Sequence, residues 1–181
     1  MKPTGDGLGR VPKEVSEIQL LQEERFDFIA NSDKGFILAF NNAMTKLGYD
    51  FGGKIGSGYC WGRYMIIYTR TGVKSKQVFA RIYIRDDSIV LRLFFNAIDK
   101  HRAYVENAPA HIKEVFVGDH GHCQHCHNDK DGVCRFRKTY TIDDRLIEKC
   151  NGITFEFHHP SIQRLPDYIA LFTEFYPQRR K

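Results

Sequence analysis

Apolar residues change their spacing twice along this chain, and the changes divide it into helices and strands. Val15, Ile18 and Leu21 recur at helical spacing in a charged background and predict a short amphipathic helix after a glycine- and proline-bearing leader, residues 1–12. Phe36, Phe40, Met44 and Leu47 then trace one face at i, i+4, i+8 and i+11, with Ser32 placed as N-cap and Gly48 where a helix-ending glycine belongs. After the glycine-rich stretch Phe51 to Gly58 the period falls to two. Trp61 to Arg70, Gln77 to Arg85 and Ser88 to Phe95 are rich in β-branched and aromatic residues and are separated by Thr71-Gly72 and Asp86-Asp87, which predicts an antiparallel meander.

The second half returns to helix and then to strand. Ile98 to Asn107 reads as a short helix stopped at Pro109, followed by an amphipathic stretch at His111 to Phe116. Cys134 to Ile142 and Arg145 to Cys150 form a hairpin pattern about Asp143-Asp144, and Asn151-Gly152 turns into a strand from Ile153 to Phe157. Pro166 suits the first turn of a final helix ending near Phe175, with Tyr168, Ile169, Leu171 and Phe172 on nearly all its sides. These elements predict one α+β domain over residues 1–181, an antiparallel sheet covered by helices on one face, with a small lobe at about 120–152.

At 181 residues, with 42% hydrophobic and 13% aromatic residues, the chain has material for one ordinary core and lacks the composition of a disordered polymer. No apolar stretch approaches membrane-spanning length and the N-terminus has no apolar export segment, so the sequence is read as cytoplasmic, with no membrane partner. The net charge of +5 permits contact with nucleic acid, a small anionic ligand or an acidic protein partner, but it is dispersed rather than gathered in one block.

Cysteine spacing supplies the sharpest chemical signal. Cys123-x2-Cys126-x7-Cys134-x15-Cys150 matches what a tetrahedral Zn2+ site draws from a loop and a hairpin, four thiolates at about 2.3 Å. The expectation is a structural zinc that organises the lobe, with His122, His125 or His127 as substitutes should one thiolate not coordinate. A four-thiolate shell has no open position, so it argues against hydrolysis at the metal. Cys123 to His127 also spells the attachment signature of c-type haem, which belongs to exported proteins, and His127 to Lys138 lacks the carboxylate an EF-hand loop needs at its twelfth position. Cys60 is left without a role.

A second signal lies in the strands. Alternation puts Ala80, Ile82 and Ile84 on one face and Phe79, Arg81, Tyr83 and Arg85 on the other, with Arg92 and Phe94 continuing that second face on the next strand. The candidate ligand-binding residues are therefore Arg81, Tyr83, Arg85 and Arg92, joined by Lys54 from the glycine-rich loop, an aromatic and basic platform suited to an anion or to stacked bases. The same residues are ordinary tenants of a wet sheet face. No nucleophile elbow, H-E-x-x-H or nucleotide-binding loop occurs, and no catalytic residue is assigned. The leading expectation is a zinc-stabilised module binding a ligand or protein; nucleic-acid binding and a zinc-thiolate redox sensor or enzyme are the alternatives.

From about Phe94 onward the chain resembles a group of bacterial proteins sharing a domain of unknown function. The resemblance is carried by Ile98-Asp-Lys-His-Arg102, the cysteine cluster, Phe136-Arg-Lys-Thr-Tyr-Thr-Ile-Asp143, Lys149-Cys150 and Leu165-Pro-Asp-Tyr-Ile-Ala-Leu-Phe172. It implies a shared C-terminal lobe and brings no activity, substrate or catalytic residue.

Overall fold

The computed structural model describes residues 21–74, 77–118, 137–150 and 152–178. Of the first expected helix only Leu21 lies within this range, and it is buried. The first long helix, α1 (Asn31–Lys46), forms where the spacing predicts it and buries Phe36, Ile37, Phe40 and Met44. Ser32 falls inside its first turn rather than before it, and Ala30 occupies the cap position without a side-chain bond. Gly48 just beyond its end takes φ +82, a left-handed conformation that costs a Cβ-bearing residue about 1–2 kcal/mol.

The short strands β1 (Tyr49–Asp50) and β2 (Gly56–Ser57) pair with opposite ends of β3 (Tyr64–Arg70), which continues into β4 (Val78–Ile84) and β5 (Ile89–Phe94) as an antiparallel meander. A 3-10 turn, Ile98–His101, leads into α2 (Arg102–Asn107) and α3 (Ala110–Val117). The hairpin β6 (Lys138–Ile142) and β7 (Arg145–Lys149) forms a separate two-stranded sheet. The chain then returns as β8 (Thr154–His158), antiparallel beside β5, and closes with α4 (Leu165–Phe175). The fold is thus α+β, with sheet order β1-β3-β4-β5-β8 and four α-helices among the described residues. None of these helices is long and apolar enough to cross a membrane.

One sheet face supplies the core. Ile66, Tyr68, Ala80, Ile82, Leu91, Leu93, Phe155 and Phe157 join the apolar sides of the four helices in a single cluster. Phe95, Phe116, Phe155 and Phe175 stack within it, Phe116 and Phe155 at 4.2 Å between centroids, a geometry worth about 0.5–1.5 kcal/mol per pair beyond area burial. Phe79 departs from the expected alternation: it sits in this core against Tyr49 and Tyr176, next to a register shift at Tyr68/Thr69 that rotates the start of β4 relative to β3.

The hairpin is fastened to the helices by ordinary contacts. Tyr140 and Ile142 enter the core, and the Tyr140 hydroxyl donates to the Phe116 carbonyl at 2.6 Å. Asp143 and Asp144 both take positive φ, 49 and 57, the pairing a two-residue hairpin turn requires. That turn is held on both sides. Arg102 binds Asp144, Lys113 binds Asp143, and the Asp143 amide donates to Glu106 Oε1 at 2.8 Å. The Thr141 amide donates to Asp99 Oδ1 at 2.9 Å.

Candidate functional site

The expected zinc centre is not what this structure shows. Among the described residues no group of three or more histidine, cysteine, aspartate or glutamate side chains is arranged to hold a metal ion. Cys123, Cys126 and Cys134 lie outside the described residues, as do His122, His125 and His127. Cys150, at the end of β7, is a free and half-buried thiol. The expectation of a zinc-organised lobe is therefore corrected, together with the functions built on it. The described hairpin owes its position to Tyr140, Ile142 and the charged turn contacts.

The other sequence signal is realised on the sheet face opposite the helices. Arg81 and Arg92 are directly opposite each other across β4 and β5, and Glu156 on β8 is directly opposite Arg92. Like charges in that register repel. Glu156 offsets this through Oε1, which accepts from Arg92 Nε at 2.7 Å and from Arg92 Nη2. Arg92 is only 4% exposed, so that carboxylate is what compensates its buried charge. Its guanidinium also lies 4.2 Å from the Trp61 ring centroid and 4.8 Å from that of Tyr83, cation–π contacts that reach about 2 kcal/mol when desolvated.

Arg81 is less completely satisfied. Its Nη1 donates to the buried Tyr83 hydroxyl at 3.2 Å and its guanidinium lies over Phe94 at 5.3 Å, while Nε is buried without a hydrogen-bond partner among the described residues. A buried donor on a cation that lacks an acceptor costs about 1–3 kcal/mol. Met65, Tyr83 and Val90 form a small apolar floor under this array, and His158 stands 3.7 Å from Glu156. Lys149 approaches from the hairpin side, its ammonium 4.8 Å from the Phe155 centroid. Burial lowers its pKa to about 8, with Glu156 favouring the charge and Arg92 opposing it.

Beside this face the segment Gly58 to Gly62 makes a tight turn. It presents Tyr59 at 81% and Trp61 at 43% exposure. Two glycines permit it: a Cβ at Gly58 would collide with the Gly62 carbonyl, and one at Gly62 would lie 2.6 Å from the Ile84 carbonyl oxygen. Tyr59 itself takes φ 52, an unfavourable conformation for a bulky residue. The turn is braced by Gly58 N–H to the Arg63 carbonyl at 3.1 Å and by Arg85 Nε to the Trp61 carbonyl at 3.2 Å. An open groove of about 760 Å³ runs between this turn and the β4–β5 connection, where Arg63, Arg85, Asp86 and Asp87 meet Tyr59 and Trp61.

Of the five residues proposed from sequence, the structure gathers Arg81, Tyr83 and Arg92 on one face and puts Arg85 at its edge in the groove. Lys54 is exposed in the glycine-rich loop and does not line the groove. Trp61, Tyr59 and Glu156 were not assigned from sequence. Period two counted from Thr154 would have found Glu156, and the Gly58-x3-Gly62 frame was the only local sign that Trp61 leaves the strand.

Comparison of the chain with models of protein families, with curated proteins and with solved structures finds no match.

Proposed function

We propose that this protein is a binding module whose site is the Arg81–Tyr83–Arg92–Glu156 face together with the Tyr59–Arg63 turn, and that it takes an anionic ligand. The observation carrying this reading is the direct cross-strand register of Arg81 with Arg92, a second guanidinium that has already claimed the Glu156 carboxylate. Two directly opposed arginines destabilise a sheet, and an anion seated against the half-buried Arg81 guanidinium relieves that repulsion.

Inorganic phosphate and sulfate are the probes. At about a hundredfold excess over the dissociation constant, a ligand binding only the folded state adds about 2.7 kcal/mol, or roughly 5–10 °C in melting temperature for a chain of this size. Arg81→Ala is expected to abolish the shift and Lys54→Ala to preserve it. Equal shifts in wild type and Arg81→Ala, or none in wild type, would refute the reading.

A further inference from the structure

The arginine face accounts for an anion but not for the aromatic turn next to it. Trp61 packs against Tyr83, centroids 5.9 Å apart and planes at 28°, and against the Arg92 guanidinium, yet much of the residue stays in solvent. Tyr59 is almost fully exposed, in a strained backbone held by two glycines that tolerate no side chain. Both residues line the same open groove.

We infer that the groove takes a nucleotide unit, its base stacked on Trp61 and Tyr59 and its phosphate drawn to Arg81 beside Arg92. Each part of the site has a counterpart in that chemistry. The exposed rings offer the flat apolar surface on which bases stack. Arg92, 4.2 Å from the Trp61 centroid, ties the ring to the basic face, so ring and phosphate sites are neighbours. Asp86 and Asp87 also line the groove, Asp86 paired with Arg63 at 3.3 Å and Asp87 accepting from Ser88 Oγ at 2.9 Å, and their second carboxylate oxygens are acceptors for exocyclic amino or ribose hydroxyl groups. Inorganic anions make no use of the two rings, and a neutral sugar makes no use of the surplus guanidinium charge. The chain's net charge of +5 favours the same polyanionic class. A free mononucleotide and one residue of a single strand share this chemistry.

This inference rests on the anion-binding reading above and is tested separately from it. Trp61 is the only tryptophan of the chain, so its fluorescence reports on this site alone. The intact protein is titrated with inorganic phosphate, with AMP and UMP, with short mixed-sequence single strands of RNA and DNA, and with a neutral oligosaccharide, at low and moderate salt. Nucleotides or strands are expected to quench Trp61, while phosphate leaves the emission unchanged, raises the melting temperature and competes with them. Tight strand binding that falls steeply with salt assigns the site to nucleic acid; comparable binding of AMP or UMP assigns it to free nucleotides. Tyr59→Ala, which removes no buried contact, and Trp61→Ala, followed by anisotropy of a dye-labelled probe, are each expected to weaken binding about tenfold. No quenching by any nucleotide or strand while phosphate still stabilises the protein overturns this inference and leaves the anion reading standing; phosphate inert as well removes both. Unchanged affinity in both aromatic variants, or quenching by the oligosaccharide alone, also overturns it.

Discussion

Arg92 lies between Arg81 on one neighbouring strand and Glu156 on the other, in direct register with both. A guanidinium that is 4% exposed has one carboxylate to neutralise it and one like charge to oppose it. Glu156→Gln should therefore leave Arg92 buried and uncompensated. Fully buried pairs lose about 3–5 kcal/mol when one partner is removed; Glu156 is partly exposed, so a loss of about 2–3 kcal/mol is expected. Denaturant unfolding of the variant measures it, and a change below about 0.5 kcal/mol would show the pair to be energetically idle.

Arg81 gives the opposite sign. Replacing it with Met removes the cross-strand repulsion and the unpaired Nε while keeping apolar cover on Phe94. Arg81→Met is expected to raise stability by about 0.5–1 kcal/mol and to eliminate phosphate binding. A variant less stable than wild type would mean that the bond to Tyr83 outweighs the repulsion.

Two glycines should respond differently to the same substitution. Gly52 takes φ +66 but has open space around its missing Cβ, so Gly52→Ala should cost about 1–2 kcal/mol through backbone strain alone. At Gly58 a Cβ would meet the Gly62 and Tyr64 carbonyls. Gly58→Ala should cost more and also shift Trp61 fluorescence to the red as the turn is displaced. Unmoved emission would show that the turn accommodates the methyl group elsewhere.

Tyr140→Phe tests how the hairpin is held. The ring is 2% exposed and its hydroxyl serves the Phe116 carbonyl, so removing the oxygen should cost about 1–2 kcal/mol. Adding Glu106→Gln weakens the acceptor for the Asp143 amide, and hydrogen exchange of the hairpin amides should then speed up more than that of β4. Equal acceleration everywhere would mean that the hairpin opens only with the whole domain.

Tyr176 contributes to an alkaline limit shared with Tyr49, Tyr104, Tyr140 and Tyr168, whose pKa values burial also raises. Burial, reinforced by Tyr49, raises its pKa to about 12, and its hydroxyl donates to the Phe94 carbonyl. Its folded pKa lies above the unfolded value near 10, so its contribution, on the order of 2 kcal/mol, is fully present below pH 10 and is lost as pH rises through 12. The melting temperature should fall over that window, and less steeply in Tyr176→Phe. An identical slope in the variant would assign the fall to other groups.

Much of this architecture was legible in local patterns. The spacing of Phe36, Phe40 and Met44 fixed a helix face, and alternation through Ala80, Ile82 and Ile84 fixed which side of the sheet is core. Asp143-Asp144 marked the hairpin because few residues accept two successive positive φ values. The cysteine spacing, by contrast, led to a metal lobe that the described residues do not form. Three of those four cysteines lie outside the described residues.

Periodicity and turn chemistry are properties of neighbouring residues, so the sequence alone determined the helix faces, the meander, the hairpin and the basic, aromatic character of one sheet face. The pairing of Arg92 with Glu156, 64 positions apart, and the placing of Trp61 over Arg92 were decided only by the tertiary structure. β8 returns beside β5 because Phe155 and Phe157 must enter the core. Burying those two rings is what turns Glu156 outward toward Arg92.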